Sequence, residues 1–226
     1  MNKTTWKSLL ERARKGDAQA QLDVGVYYAD GVIDSKGNRI VVKDPAKAVR
    51  WYRLAAEQGN CEAQNQLGVC LSTGIGTRLD QKQALSWTSK AFAQGDPLAA
   101  HNLATIYRDM GQFKKAFEYY KRAVAMGDLD SLIEVGLSFY YGLGTTKSPQ
   151  AACKCFQRIV RAKPSKTTEA TQEDAYYMLG VASLEGKGIR QSISKARSYF
   201  EQADKDDDHR AAQLLLWMTG RSLSNG

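Results

Sequence analysis

The stretch "AVRWYRLAAEQGN", residues 48–60, decides how the rest of the chain is read. Ala48, Trp51, Tyr52, Ala55 and Ala56 fall at i, i+3, i+4, i+7 and i+8, one apolar stripe along an amphipathic helix. Gly59 follows as a stop, where a left-handed backbone without a Cβ closes a helix. Nearly the same helix returns as "ALSWTSKAFAQGD" from Ala84, "AFEYYKRAVAMGD" from Ala116, "AACKCFQRIVRAK" from Ala151 and "ARSYFEQADKDDD" from Ala196. A helix copied this often implies a repeated unit.

Each copy is preceded by another segment with small residues at fixed offsets. "AQLDVG" (20–25), "AQNQLG" (63–68), "AAHNLA" (99–104), "SLIEVG" (131–136) and "AYYMLG" (175–180) share one frame, and "AAQLLL" (211–216) opens a sixth. The frames are spaced by 43, 36, 32, 44 and 36 residues, a helix-loop-helix period near 36 with two insertions. The glycine at the sixth place of the frame predicts a close helix crossing. Units of this length cannot bury their apolar faces alone, so they must stack, each second helix covering the first helix of its own and the next unit.

The pattern A-x-x-x-L-G-x-x-Y, a G-x-G loop, then D-x-x-x-A-x-x-W-Y-x-x-A-A-x-x-G resembles the Sel1-like repeat, a relative of the tetratricopeptide repeat. The resemblance is closest over "DVGVYYADG" with "KDPAKAVRWYRLAAEQGN" and over "AQNQLGVCLSTGIGTRLDQKQALSWTSKAFAQGD". Residues 97–128 lack the G-x-G loop and resemble a plain tetratricopeptide unit. The resemblance implies an all-α fold, a right-handed α/α solenoid of about five repeats whose first helices line a concave face. The expected organisation is a single domain, 1–226: a cap helix over 1–16, repeats at 17–60, 61–96, 97–128, 129–171 and 172–208, and a C-terminal cap over 209–226. "GVIDSKGNRIVVKD" (31–44) predicts a small β-hairpin, and "RAKPSKTTEATQED" (161–174) a Pro-broken polar connector.

Composition narrows the function classes. Hydrophobic residues make up 43%, enough for a packed core, and no run approaches the roughly 18 apolar residues of a membrane span. The opening "MNKTTWKSLLERARKGD" has no apolar leader core, so a cytoplasmic protein is expected. The net charge is +8, unevenly placed. Lys154, Arg158, Arg161, Lys163 and Lys166 form a basic edge, a solvated face or a docking patch for an acidic protein, and Asp204, Asp206, Asp207 and Asp208 an acidic run. No groove-reading motif accompanies the charge, so nucleic acid is not expected as a partner. Cys61 and Cys70 are nine residues apart on one predicted helix, about 13 Å, too far to bridge, and Cys153 and Cys155 point to different faces. Reduced thiols are the simplest account, and His101 and His209 supply no zinc-ligand spacing.

No catalytic constellation emerges, and no cofactor or metal is expected. "GIG", "GLG" and "GKG" follow helices and lack the phosphate-loop frame, so they read as inter-helix turns. Trp51, Trp87 and the pairs Tyr119–Tyr120 and Tyr199–Phe200 read as core. The resemblance admits one enzyme reading, β-lactam hydrolysis, known from cysteine-stapled, secreted relatives; this chain lacks the cysteine pairs. The expected role is therefore non-enzymatic, a protein-binding adaptor or scaffold. The resemblance also admits an immunity protein that neutralises a bacterial toxin or secreted effector.

Side chains offset from the core frame on first helices should face the groove: Gln19, Asp23, Val26; Glu62, Asn65, Gln66, Ser72; His101, Asn102, Thr105, Arg108; Asp130, Glu134, Tyr140; Tyr177, Leu184; and Gln213. Within that set Asn65, Gln66, His101, Asn102, Arg108, Glu134, Tyr140 and Tyr177 are the expected partner-binding residues, a mix of amides, Arg and Tyr suited to gripping a peptide backbone or loop.

Overall fold

The computed structural model describes residues 2–203, and 71% of these are helical. The expected C-terminal cap over 209–226, Gln213 and the acidic run 204–208 lie outside the described residues. Contacts divide the chain into two compact units, Met1–Asp109 and Met110–Gly226, with the division between the two helices of the third repeat.

The first unit contains α1 (Lys3–Arg14), α2 (Ala18–Asp30), β1 (Val32–Ile33), β2 (Arg39–Val41), α3 (Pro45–Glu57), α4 (Cys61–Thr73), α5 (Gln81–Ala93) and α6 (Pro97–Asp109). The second contains α7 (Phe113–Ala125), α8 (Ser131–Tyr141), α9 (Pro149–Val160), a 3-10 turn (Pro164–Lys166), α10 (Glu169–Glu185) and α11 (Ile193–Ala203). Helix starts are set by side chains that accept the orphan amide two or three residues into the helix. Asp17, Asp44, Asn60, Asp80, Ser148 and Thr168 accept from Ala20, Lys47, Ala63, Gln83, Ala151 and Thr171. The cap recurs at both helices of the first and second repeats and in parts of others, while α7 and α8 have no side-chain cap.

Within repeats, α2 packs on α3, α4 on α5, α8 on α9 and α10 on α11; between repeats, α3 packs on α4, α5 on α6 and α9 on α10. This is the all-α repeat architecture expected from the sequence. Leu22, Tyr52, Leu67, Leu71 and Ile106 are buried in the first unit, and Phe156, Ile159, Leu179 and Phe200 in the second. Each such side chain is worth about 1.5–3 kcal/mol of removal from water.

The helix crossings lie where the frame glycines predict them, against a neighbour one residue later than the tryptophans suggested. A Cβ on Gly68 would collide with Thr88 Oγ1, and one on Gly25 would lie 2.5 Å from Tyr52 Cε1. Tyr52 and Thr88 are the buried residues; Trp51 and Trp87 are half-buried beside them, the latter with Lys90 Nζ 3.7 Å from its ring centroid. Both tryptophans pack against core clusters as expected, but from the edge, because only the position facing glycine points straight at the partner helix. The G-x-G loops are turns, and their second glycine has a packing reason. Gly144 lies so close to the Phe113 carbonyl at the start of α7 that no Cβ fits between them.

Residues 31–44 form the expected hairpin, the only strand pair among the described residues, with Val32 opposite Val41 and Ile33 opposite Arg39. Its tip is tied by Asp34 Oδ1, which accepts from the amides of Lys36 (2.8 Å) and Asn38 (2.9 Å). The connector after α9 is held from outside itself. Asp130 Oδ1 accepts from Thr167 Oγ1 at 2.6 Å and from the Thr168 amide at 2.9 Å.

A buried glutamine relay also joins the first repeats. Gln21 Nε2 donates to the Ala13 carbonyl at the end of α1 (3.0 Å), and Gln58 Nε2 after α3 donates to Gln21 Oε1 (2.7 Å). One repeat on, Gln64 Nε2 donates to the Ala56 carbonyl (3.2 Å) and Gln94 Nε2 to Gln64 Oε1 (2.9 Å). Gln21 and Gln64 thus each add a side-chain donor to a carbonyl in the last turn of a helix, beside the glycine amide it already accepts.

Candidate protein-binding surface

In the first unit, first helices α4 and α6 are neighbours, and they bring together part of the expected set. Asn102 Nδ2 donates to Asn65 Oδ1 at 2.9 Å, an amide bridge between successive repeats. One repeat earlier Asp23 stands at the frame position of Asn102, and Gln19 donates to its Oδ1 at 2.9 Å and accepts from Asn60 Nδ2 at 3.4 Å. Gln66, His101, Asn102 and Arg108 are half-buried, so each presents part of its side chain to solvent. The Arg108 guanidinium lies beside its neighbour, with Nε 3.3 Å from Asp109 Oδ1.

Asn65 does not fit the expected role. It is 2% exposed, and its carbonyl oxygen is occupied by Asn102, so it positions Asn102 and offers nothing to a partner directly. Two residues before the core Leu67, it is turned toward the next repeat instead of outward.

In the second unit, Glu134 and Tyr177 are half-buried. Tyr177 packs at 5.8 Å, ring centroid to centroid, on Phe200 of α11. Tyr140 departs from expectation as Asn65 does: it is 5% exposed, and its hydroxyl donates to Glu185 Oε2 at 2.6 Å. Burial raises the Tyr140 hydroxyl's pKa, while the same hydrogen bond lowers that of the Glu185 carboxyl. Glu185 is also 3.1 Å from Lys187 Nζ, so Tyr140 helps lock the "GKG" loop onto α8. No sequence signal distinguished it from an exposed tyrosine, because its partner lies 45 residues on.

Asp130 is likewise inward-facing in function. Burial pushes its carboxyl up, but the hydrogen bonds from Thr167 and Thr168 outweigh it and hold the group below the usual carboxylate range. All four cysteines are free, and burial raises Cys61, Cys70, Cys153 and Cys155 above the ordinary thiol value, away from thiolate reactivity. Among the described residues no group of three His, Cys, Asp or Glu side chains could hold a metal ion, and no helix is long and apolar enough to cross a membrane.

Comparison with known proteins bears on the repeats directly. The family model of the Sel1 repeat matches residues 18–60, 61–96, 129–162 and 173–203, and that of the tetratricopeptide repeat matches 99–126. Among solved structures, c5321, a protective antigen of uropathogenic Escherichia coli displaying an SLR fold, superposes with a TM-score of 0.78 at 26% identity, over 96% of this chain and 44% of its own. A Sel1 repeat protein from Oxalobacter formigenes superposes at 0.70 with 25% identity, over 90% and 77%. The HRD3 component of an ERAD-associated E3 ubiquitin-protein ligase from Candida glabrata is 30% identical over 117 residues, 48% of this chain and 14% of that protein. The chain spans about a third or less of the length of the curated relatives it matches.

Proposed function

The chain belongs to the Sel1 repeat family, and from that premise we propose that it is a non-enzymatic module that grips a protein partner along its first helices. Sel1 repeats are protein-interaction units. The observation that supports the reading is the Asn65–Asn102 bridge, which ties α4 to α6, the two helices that also carry the half-buried Gln66, His101 and Arg108. Such a surface offers hydrogen bonds to a peptide backbone and one guanidinium anchor, and interfaces concentrate their energy in a few such anchors. In the second unit Glu134 and Tyr177 are the accessible members of the corresponding set.

The experiment is affinity capture with mass spectrometry, comparing the wild-type chain with Gln66→Ala/Arg108→Ala. A partner held in stoichiometric amount by the wild type and lost from the variant supports the reading; equal recovery contradicts it. The narrower form, an immunity protein occluding a toxin or secreted effector, is tested by co-purification with the product of the adjacent gene. The β-lactamase alternative is tested by nitrocefin turnover, with hydrolysis above background overturning the non-enzymatic reading.

A further inference from the structure

In the second unit an open cleft of about 490 Å³ is lined by Leu129, Lys154, Gln157, Arg158, Arg161 and Ala162. Lys154, Arg158 and Arg161 are exposed and stand at i, i+4 and i+7, so three cations line one face over about 10 Å of helix rise. Some surface cations of the unit are neutralised within their own helix, as in Lys121–Glu118 and Arg197–Glu201. None of the ion pairs among the described residues involves the three cleft cations. Of the two acids flanking Leu129, Asp130 accepts through Oδ1 from Thr167 and Thr168, and Asp128 accepts from the Ser131 hydroxyl. Residues 129–168 carry six basic side chains against two acidic ones.

Placing Arg158 in the last turn of α9 is itself favourable, because the helix dipole is negative there. The same holds for Arg161 at the C-cap, whereas Lys154, nearly two turns from the helix end, falls outside its reach. The cleft also has an apolar part, Leu129 and Ala162 with the alkyl stems of the basic residues, and no aromatic ring on which a base could stack. We propose that this cleft takes an acidic peptide segment of a partner protein, with carboxylates on Lys154, Arg158 and Arg161 and an apolar side chain against Leu129 and Ala162. The inference rests on the protein-binding reading and adds a second contact of defined chemistry, on a second helix instead of a first.

The test is fluorescence anisotropy on the full chain with a labelled Asp-Glu-Leu repeat peptide. An Asn-Gln-Leu peptide removes the charge, an Asp-Glu-Ser peptide removes the apolar contact, and a single-stranded DNA oligonucleotide serves as a competing polyanion. The Asp-Glu-Leu peptide should bind, lose at least about tenfold in affinity in Arg158→Ala/Arg161→Ala and again in Lys154→Ala, and weaken steeply with salt. The other two peptides should bind at least about tenfold more weakly, with unchanged melting midpoints showing that the variants fold. Binding that is absent, or indifferent to all three substitutions, overturns the proposal. DNA that binds as tightly and is lost in the same variants reassigns the cleft to nucleic acid and overturns it too. Because the peptide is measured on the isolated protein, failure here leaves capture through Gln66 and Arg108 untouched.

Discussion

At the scale of single residues, the packing of Gly68 against Thr88 makes a prediction whose sign is diagnostic. In a helix interior Gly→Ala ordinarily stabilises by about 0.5–1 kcal/mol. At Gly68 the added methyl meets Thr88 Oγ1, so Gly68→Ala should instead destabilise by about 1–3 kcal/mol through overpacking. Thr88→Ala in the same chain should recover part of that loss, a coupling that denaturant midpoints of the four-member cycle would measure. The Thr88 hydroxyl is buried with no hydrogen-bond partner, so Thr88→Val should cost nothing and could gain about 1 kcal/mol. Tyr140 changes standing for a similar reason. Tyr140→Ala should lose roughly 3 kcal/mol of fold stability, which makes it unusable as a test of binding. Asp130 gives a pH signature. Its folded-state pKa is held down, so its contribution is present above the ordinary carboxylate value, about 3.9, and is lost as pH falls through the lower folded value. The stability difference between wild type and Asp130→Asn should therefore persist at neutral pH and vanish in strong acid. A difference unchanged down to pH of about 2 would contradict the latch.

At the scale of elements, helices and their crossings were legible because they rest on local pattern. The stripe Ala48–Ala56, the frame glycines and the G-x-G turns each have a period or a fixed offset that a single sequence displays. The hairpin at 31–44 was legible for the same reason, from β-prone runs around a Gly-containing turn. What stayed hidden are side-chain partnerships across repeats. Gln21 and Gln64 look like polar residues on a helix face, yet both are about 5% exposed or less and feed the carbonyl ends of α1 and α3. Recurrence of "AQ" in two frames, with "EQG" and "AQG" after the second helices, was the available signal. Gln64→Ala should remove one hydrogen bond from the Ala56 carbonyl, which keeps the Gly59 amide, and one from Gln94, which keeps the Gly59 carbonyl, costing about 0.5–1.5 kcal/mol. Hydrogen exchange should then quicken at the α3–α4 junction, and protection equal to wild type would show that the relay carries no stability. The relay ends after the second repeat, where Ala100, Leu132 and Tyr176 replace glutamine at the equivalent positions.

At the scale of the whole molecule, repeat number and family were readable from the sequence, and a partner-binding site was only partly so. A stacked array presents one side chain per repeat at each offset, which fixes the face but not whether a given residue on it looks outward. Of the eight expected residues, Asn65 and Tyr140 are consumed by their own chain, whereas Gln66, His101, Asn102, Arg108, Glu134 and Tyr177 keep part of their surface. Removing the Arg108 guanidinium should weaken a partner complex at least about tenfold, the cost typical of a central anchor. Changes at Lys154, Arg158 and Arg161 should act more on association rate and salt dependence. The central claim, that the first helices hold a protein partner, is tested most directly by quantitative capture with wild-type chain and Gln66→Ala/Arg108→Ala at matched melting midpoint. We predict one stoichiometric partner that is depleted at least about tenfold from the variant. Equal recovery of that partner by both chains would contradict the account.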